Sequence, residues 1–165
     1  IKQIFNKLAN LFKLSLRACE NCFTTIRVAI LMTSPNIVLH PVLLTTLITL
    51  KQHHPNLYKR LVFEDGTVQE FIDYISSLDG GLEFVNSKPG LLIEANLLHA
   101  KYKFSQTKNE LTDYEQLINY DTSDPKKRER AQYILEIIQN QPLTYKELDI
   151  NFVTNKIELS MQFSY

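Results

Sequence analysis

Pro41-Val42-Leu43-Leu44-Thr45-Thr46-Leu47-Ile48-Thr49-Leu50-Lys51-Gln52-His53 decides the fold. Proline suits the first turn of a helix, where its missing N–H is not needed. From Val42 onward the stretch is too apolar to keep one face in water. A helix apolar all round belongs inside a core. The stretch therefore predicts a central helix that Pro55 ends or follows with another. Leu43, Leu47, Ile48 and Leu50 are expected to be largely buried.

Helical spacing continues on both sides. Upstream, Ile4, Phe5, Leu8, Leu11 and Phe12 make an amphipathic helix over Ile1–Phe12. Ser15 offers an N-cap to a second helix. Leu16, Cys19, Phe23, Ile26 and Ile30 form its stripe, with Phe23, Ile26 and Ile30 expected against the central helix. It should stop near Ser34, before Pro35. Downstream, Asn56 to Phe63 reads as a helix and Asp65-Gly66 as a turn. Thr67-Val68-Gln69-Glu70 matches a capping box in which Glu70 reaches back to the Thr67 amide. Phe71, Ile72, Ile75 and Leu78 follow, and Asp79-Gly80-Gly81 ends that helix or makes a loop.

Pro89 or Gly90 begins a helix through Leu92, Ala95, Leu98, His99 and Tyr102. Leu111 to Tyr120 is a short one. Ser123-Asp124-Pro125 is a start signal for the next. Val153, Ile157 and Met161, with Leu159 nearby, mark a terminal helix. Strict apolar alternation is nearly absent. The expected fold is all-α: a single irregular multi-helix bundle of about seven to nine helices, with residues 1–165 as one domain.

The chain has 165 residues and equal numbers of acidic and basic side chains, 18 each. A dedicated nucleic-acid binder would carry a basic excess, so that class is disfavoured. Two cysteines are too few for a disulfide framework. No apolar run is long enough to cross a bilayer as a helix, and no secretory signal pattern is present. None of the four glycines begins G-x-x-x-x-G-K-[ST], so the chain alone is not a self-sufficient P-loop ATPase. Because it begins with Ile1, it is expected to be a piece of a longer chain.

Cys19-Glu20-Asn21-Cys22 spells C-x-x-C but has no second pair, so buried core cysteines are favoured over a metal or redox site. His53-His54 closes a helix, where a partly cationic side chain suits the carbonyl-rich end. His99 is expected to be a core histidine, and no metal site is expected. Lys126, Lys127, Arg128 and Arg130 form one basic run, a solvated face or a contact for an acidic partner. Its place at a helix start opposes the helix dipole, so helix stability is not its purpose.

Leu14-Ser15-Leu16-Arg17-Ala18-Cys19-Glu20-Asn21-Cys22-Phe23-Thr24-Thr25-Ile26-Arg27 resembles the segment "LSLRDIEQ…" after the nucleotide-binding core in bacterial KAP family P-loop NTPases. Pro41-Val42-Leu43-Leu44 with Leu47 to Lys51 resembles their "P-x-L-L…FLI-L-K" helix. Asn56-Leu57-Tyr58-Lys59-Arg60 resembles "NP-x-L-Y-x-x-F". Phe152 to Phe163, with Ile157-Glu158-Leu159-Ser160, resembles their C-terminal "IELS" stretch. These patches span most of the chain at low density.

The resemblance implies a C-terminal helical region of such an NTPase, whose Walker motifs would lie upstream. The region would act as a regulatory lid, and its partner would be the upstream NTPase core of the same chain. No cofactor is expected in this chain; ATP and Mg would belong to the parent. The parent would be cytoplasmic, or membrane-associated through other segments, with a role in signalling or phage defence. Arg17 becomes the nucleotide-sensing candidate, since a permanently charged guanidinium can fork two donors to phosphate oxygens. The bland alternative is a surface pair with Glu20. A different function class is a helical protein-interaction module using the Lys126–Arg130 face or the Ile1–Phe12 helix. A helical enzyme domain is a third, and it would need a pocket with convergent polar groups.

Overall fold

A computed structural model of the chain describes residues 2–37, 39–102, 110–119, 124–140 and 149–162. The described residues form ten helices and no strand. They are α1 (Lys2–Leu11), α2 (Leu16–Leu31), α3 (Pro41–His53), α4 (Pro55–Phe63), α5 (Val68–Ser77), α6 (Gly81–Val85), α7 (Lys88–Tyr102), α8 (Glu110–Asn119), α9 (Pro125–Gln139) and α10 (Ile150–Met161). The architecture is the all-α multi-helix bundle that the sequence predicts. Ten exceeds the expected seven to nine because Gly81 opens a helical turn, α6, where a loop or helix end was expected. Ile1, Tyr120, Ser123 and Phe163 lie outside the described residues.

Two helices are central. In α3, every residue from Val42 to Leu50 is buried. In α7, the same holds from Ile93 to Ala100. Helices α1, α2, α4, α7 and α10 pack against α3. Helices α5, α6, α8 and α9 gather on α7. Leu43, Leu47, Ile48 and Leu50 are buried as expected. The α1 stripe of Ile4, Phe5 and Leu8, continued by Phe12, is spent on the same core.

Local chemistry sets most helix starts. Ser15 Oγ accepts from Ala18 N at 3.2 Å. His40 Nδ1 accepts from Leu43 N at 3.5 Å, and His54 Nδ1 from Leu57 N at 3.2 Å. Asp124 and Asp149 cap α9 and α10. His54 therefore serves the start of α4 by taking the Leu57 amide. Thr67 Oγ1 accepts from Glu70 N at 3.1 Å, one half of the expected capping box. The other half is replaced: Glu70 accepts from Arg60 at 2.8 Å, and the Glu110 carboxylate takes the Val68 and Gln69 amides at 2.7 Å each.

The α2 stripe needs correction. Ile26 is buried, but Phe23 is 51% exposed and Ile30 49%. The inward face is Cys22, Thr25, Ile26 and Ala29. These mostly small side chains let α2 lie close to α3 and α10. The sequence stripe is rotated from this face by about a quarter turn at 100° per residue. Apolarity alone favoured the larger residues, whereas close helix approach selected the smaller ones.

Candidate functional site

Arg17 sits in the first turn of α2, two residues past the Ser15 cap. Its side chain is exposed and makes no ion pair with Glu20 or any other described residue. Backbone amides at a helix start favour an anion, and the guanidinium adds a full positive charge beside them.

The basic run divides in two. Lys126, Lys127 and Arg128 are exposed at the start of α9. Arg130 turns inward instead. One of its Nη atoms donates to the Glu94 carboxylate and the other to the Val85 carbonyl at 3.3 Å. Glu94 is only 1% exposed and also accepts from the Tyr114 hydroxyl. Burial raises the Glu94 pKa, and Arg130 and Tyr114 pull it back down. Arg130 is thus a structural cation for a buried carboxylate, and the open basic patch shrinks to three residues.

Glu110 forms a second polar node beside the first. Besides capping α5, it accepts from the Tyr102 hydroxyl at 2.6 Å. Burial and the Glu110 carboxylate push the Tyr102 pKa up, and burial with Glu94 pushes up that of Tyr114. Both phenols stay protonated at neutral pH. A cleft of about 350 Å³ opens over these groups between α5, α8 and α9, lined by Gln69, Glu110, Asp113, Tyr114, Lys127 and Arg130. Polar groups do converge there. Glu110, Tyr114 and Arg130 in its lining are each engaged with the protein.

A third node joins α3, α4 and α10. Glu158 on α10 accepts from Lys51 Nζ at 2.6 Å and from the Tyr58 hydroxyl at 2.8 Å. Lys51 Nζ also lies 5.2 Å from the centre of the Tyr58 ring. Burial and then Glu158 hold Tyr58 protonated. This node fastens α10 to the end of α3 and to α4.

Cys22 is buried and Cys19 half-buried, and both are free thiols. Burial pushes the Cys22 pKa up to about 12, so its reactive thiolate is scarce at neutral pH. In native protein, Cys22 is expected to resist iodoacetamide that labels it readily in urea; equal labelling rates would contradict the buried placement. His53 stacks on Phe12 with ring centres 4.4 Å apart, and its Nε2 is 2.7 Å from the Tyr74 hydroxyl. Burial lowers its pKa, as does His54 beside it, so the neutral ring is favoured. Among the described residues, no three His, Cys, Asp or Glu side chains gather as a metal site requires. No described helix is long and apolar enough to cross a membrane.

Sequence reading passed over Glu94, although a signal was present. A lone carboxylate inside Leu91-Leu92-Ile93-Glu94-Ala95-Asn96-Leu97-Leu98 needs a buried partner. Arg130 stands on the apolar side of α9, four residues before Ile134, and was the available cation. No protein-family model, characterised protein or solved structure shows significant similarity to the chain.

Proposed function

We propose that this chain is a regulatory, lid-type helical region of a KAP-like P-loop NTPase, non-catalytic by itself, in which Arg17 senses the nucleotide state. The observation that supports this reading is the free, exposed guanidinium of Arg17 in the first turn of α2. ATP and Mg belong to the upstream core, which is the natural partner. A lid arginine placed on the terminal phosphate would couple that core to the helical bundle. The output would be signalling or phage defence in a bacterial cytoplasm.

Arg17→Ala is expected to change the stability of this chain by no more than ~0.5 kcal/mol, as for ordinary surface positions. In a polypeptide that includes the core, the same change is expected to lower ATP turnover, and Arg17→Lys should not fully restore it, because an ammonium lacks the planar fork. Urea unfolding and phosphate release measure the two effects. An unfolded Arg17→Ala chain, or unchanged turnover in the longer protein, defeats the assignment.

A second reading is a protein-interaction module, supported by the exposure of Lys126, Lys127 and Arg128. Arg130 drops out of that surface because Glu94 holds it. The α1 helix drops out because its apolar face is already in the core. Salt-sensitive binding of an acidic partner, lost on replacing the three exposed cations and independent of nucleotide, would favour this reading over the lid.

A further inference from the structure

One flank of α2 keeps apolar side chains partly in water, although the inner side of Phe23 rests on the core ring of Phe5 with ring centres 4.3 Å apart. Leu16 is 77% exposed, Phe23 51% and Ile30 49%. They are spaced by seven residues, and seven residues come close to two full turns of a helix, so the three lie in one nearly straight row. Leu31, 73% exposed, borders the row at its C-terminal end. Along the same border stand Glu20 and Arg27, both exposed and without an ion pair among the described residues. Glu20 is three residues before Phe23 and Arg27 four after it.

That arrangement is complementary to itself in one orientation. Let two copies of α2 run antiparallel about a two-fold axis at Phe23. Residues whose numbers add to 46 then meet, so Leu16 meets Ile30 and Phe23 meets Phe23. The axis keeps the charged border of each helix on the same side of the contact. Glu20 then faces Arg27 of the partner subunit with an axial offset of about 1.5 Å, one residue's rise. The pair occurs twice by symmetry, and Leu31 falls beside the other copy's Leu16. A parallel pair would send the two charged borders to opposite outer edges. From this combination of an apolar row and opposite charges in register, we propose that α2 is a self-association surface and that its occupant is a second copy of this chain.

The contact is isologous, as two-fold dimers require. Arg17 lies roughly a third of a turn around α2 from the row, so it stays uncovered in the dimer. The inference therefore goes beyond the lid reading and can fail without it. Four exposed apolar side chains fall well short of the ~20–30 residues a side of standard stable complexes. The dimer is accordingly weak and forms in the micromolar range.

Sedimentation equilibrium of the chain up to about 100 µM tests this. The expected result is a concentration-dependent rise from 19.2 kDa toward twice that mass. Glu20→Arg and Arg27→Glu should each weaken association about tenfold or more, since each sets like charges opposite one another. The double variant carrying both changes should return to within about threefold of the parent, because the swapped pairs form again across the axis. Leu16→Glu should also dissociate the dimer without harming the fold, as an acid in the first helical turn is favourable. Far-ultraviolet circular dichroism and thermal melts confirm that each variant is folded. A monomer at every concentration overturns the proposal, as do single variants that associate normally, or single variants weakened without recovery in the double. The last outcome would mean that the two copies do not meet in this antiparallel register.

Discussion

Arg130→Met is expected to cost the folded state about 3 kcal/mol, near the low end for removing one partner of a buried ion pair. Glu94 is 1% exposed and loses the cation that pairs with it in the variant, whereas Arg130 keeps about a quarter of its side chain in water, which tempers the effect. The loss should depend on pH, and its sign follows from the carboxylate. Burial already raises the Glu94 pKa above its ordinary value of 4.5 while Arg130 lowers it, so removing Arg130 raises it further. Such a group is protonated in the folded state at a pH where the unfolded chain has ionised. Its penalty is absent below pH 4.5, grows between that value and the raised folded one, and is full above it. Urea unfolding should therefore show a wider gap between parent and variant at pH 7 than at pH 5. Adding Glu94→Gln should recover part of the loss, because no buried charge then remains. A loss under about 1 kcal/mol, the scale of an exposed pair, would show that the pair is solvated.

Gly81→Ala is expected to be more damaging than its size suggests, costing about 3 kcal/mol or preventing folding. A Cβ at Gly81 would lie 1.7 Å from the Ile75 carbonyl oxygen and 2.8 Å from its carbon. Both are backbone atoms at the end of α5, and no rotamer change can move them aside. The neighbour provides the control. Gly80 has φ +73°, but a Cβ there meets nothing within 4 Å. Gly80→Asn therefore incurs only a left-handed backbone penalty of about 1 kcal/mol. Thermal melting of the two variants should place them far apart. Equal losses would show that the α5–α6 corner yields to added volume.

The α3 segment declared its place because a helix without a polar face has only one stable location. Caps such as Ser15, Thr67 and Asp124 were legible for a similar reason, since each acts within three residues of itself. The face of α2 was not legible. Its choice depends on how closely α3 and α10 approach, and that distance is not encoded in α2. Replacement of Glu70 by Glu110 at the start of α5 escaped notice because the two acids are forty residues apart. Of the candidate site, Arg17 and the exposed lysines could be found locally. The inward turn of Arg130 required knowing that α7 carries Glu94 to meet it.

The Lys51–Glu158–Tyr58 node has a consequence for how the molecule is made. Its partners lie 107 and 100 residues apart in the chain. At ~5–20 residues per second, a ribosome finishes Lys51 roughly 5–20 s before it reaches Glu158. Through that interval the side of α3 on which α10 packs lacks that cover. The last packing step of the bundle therefore waits for α10 to be synthesised.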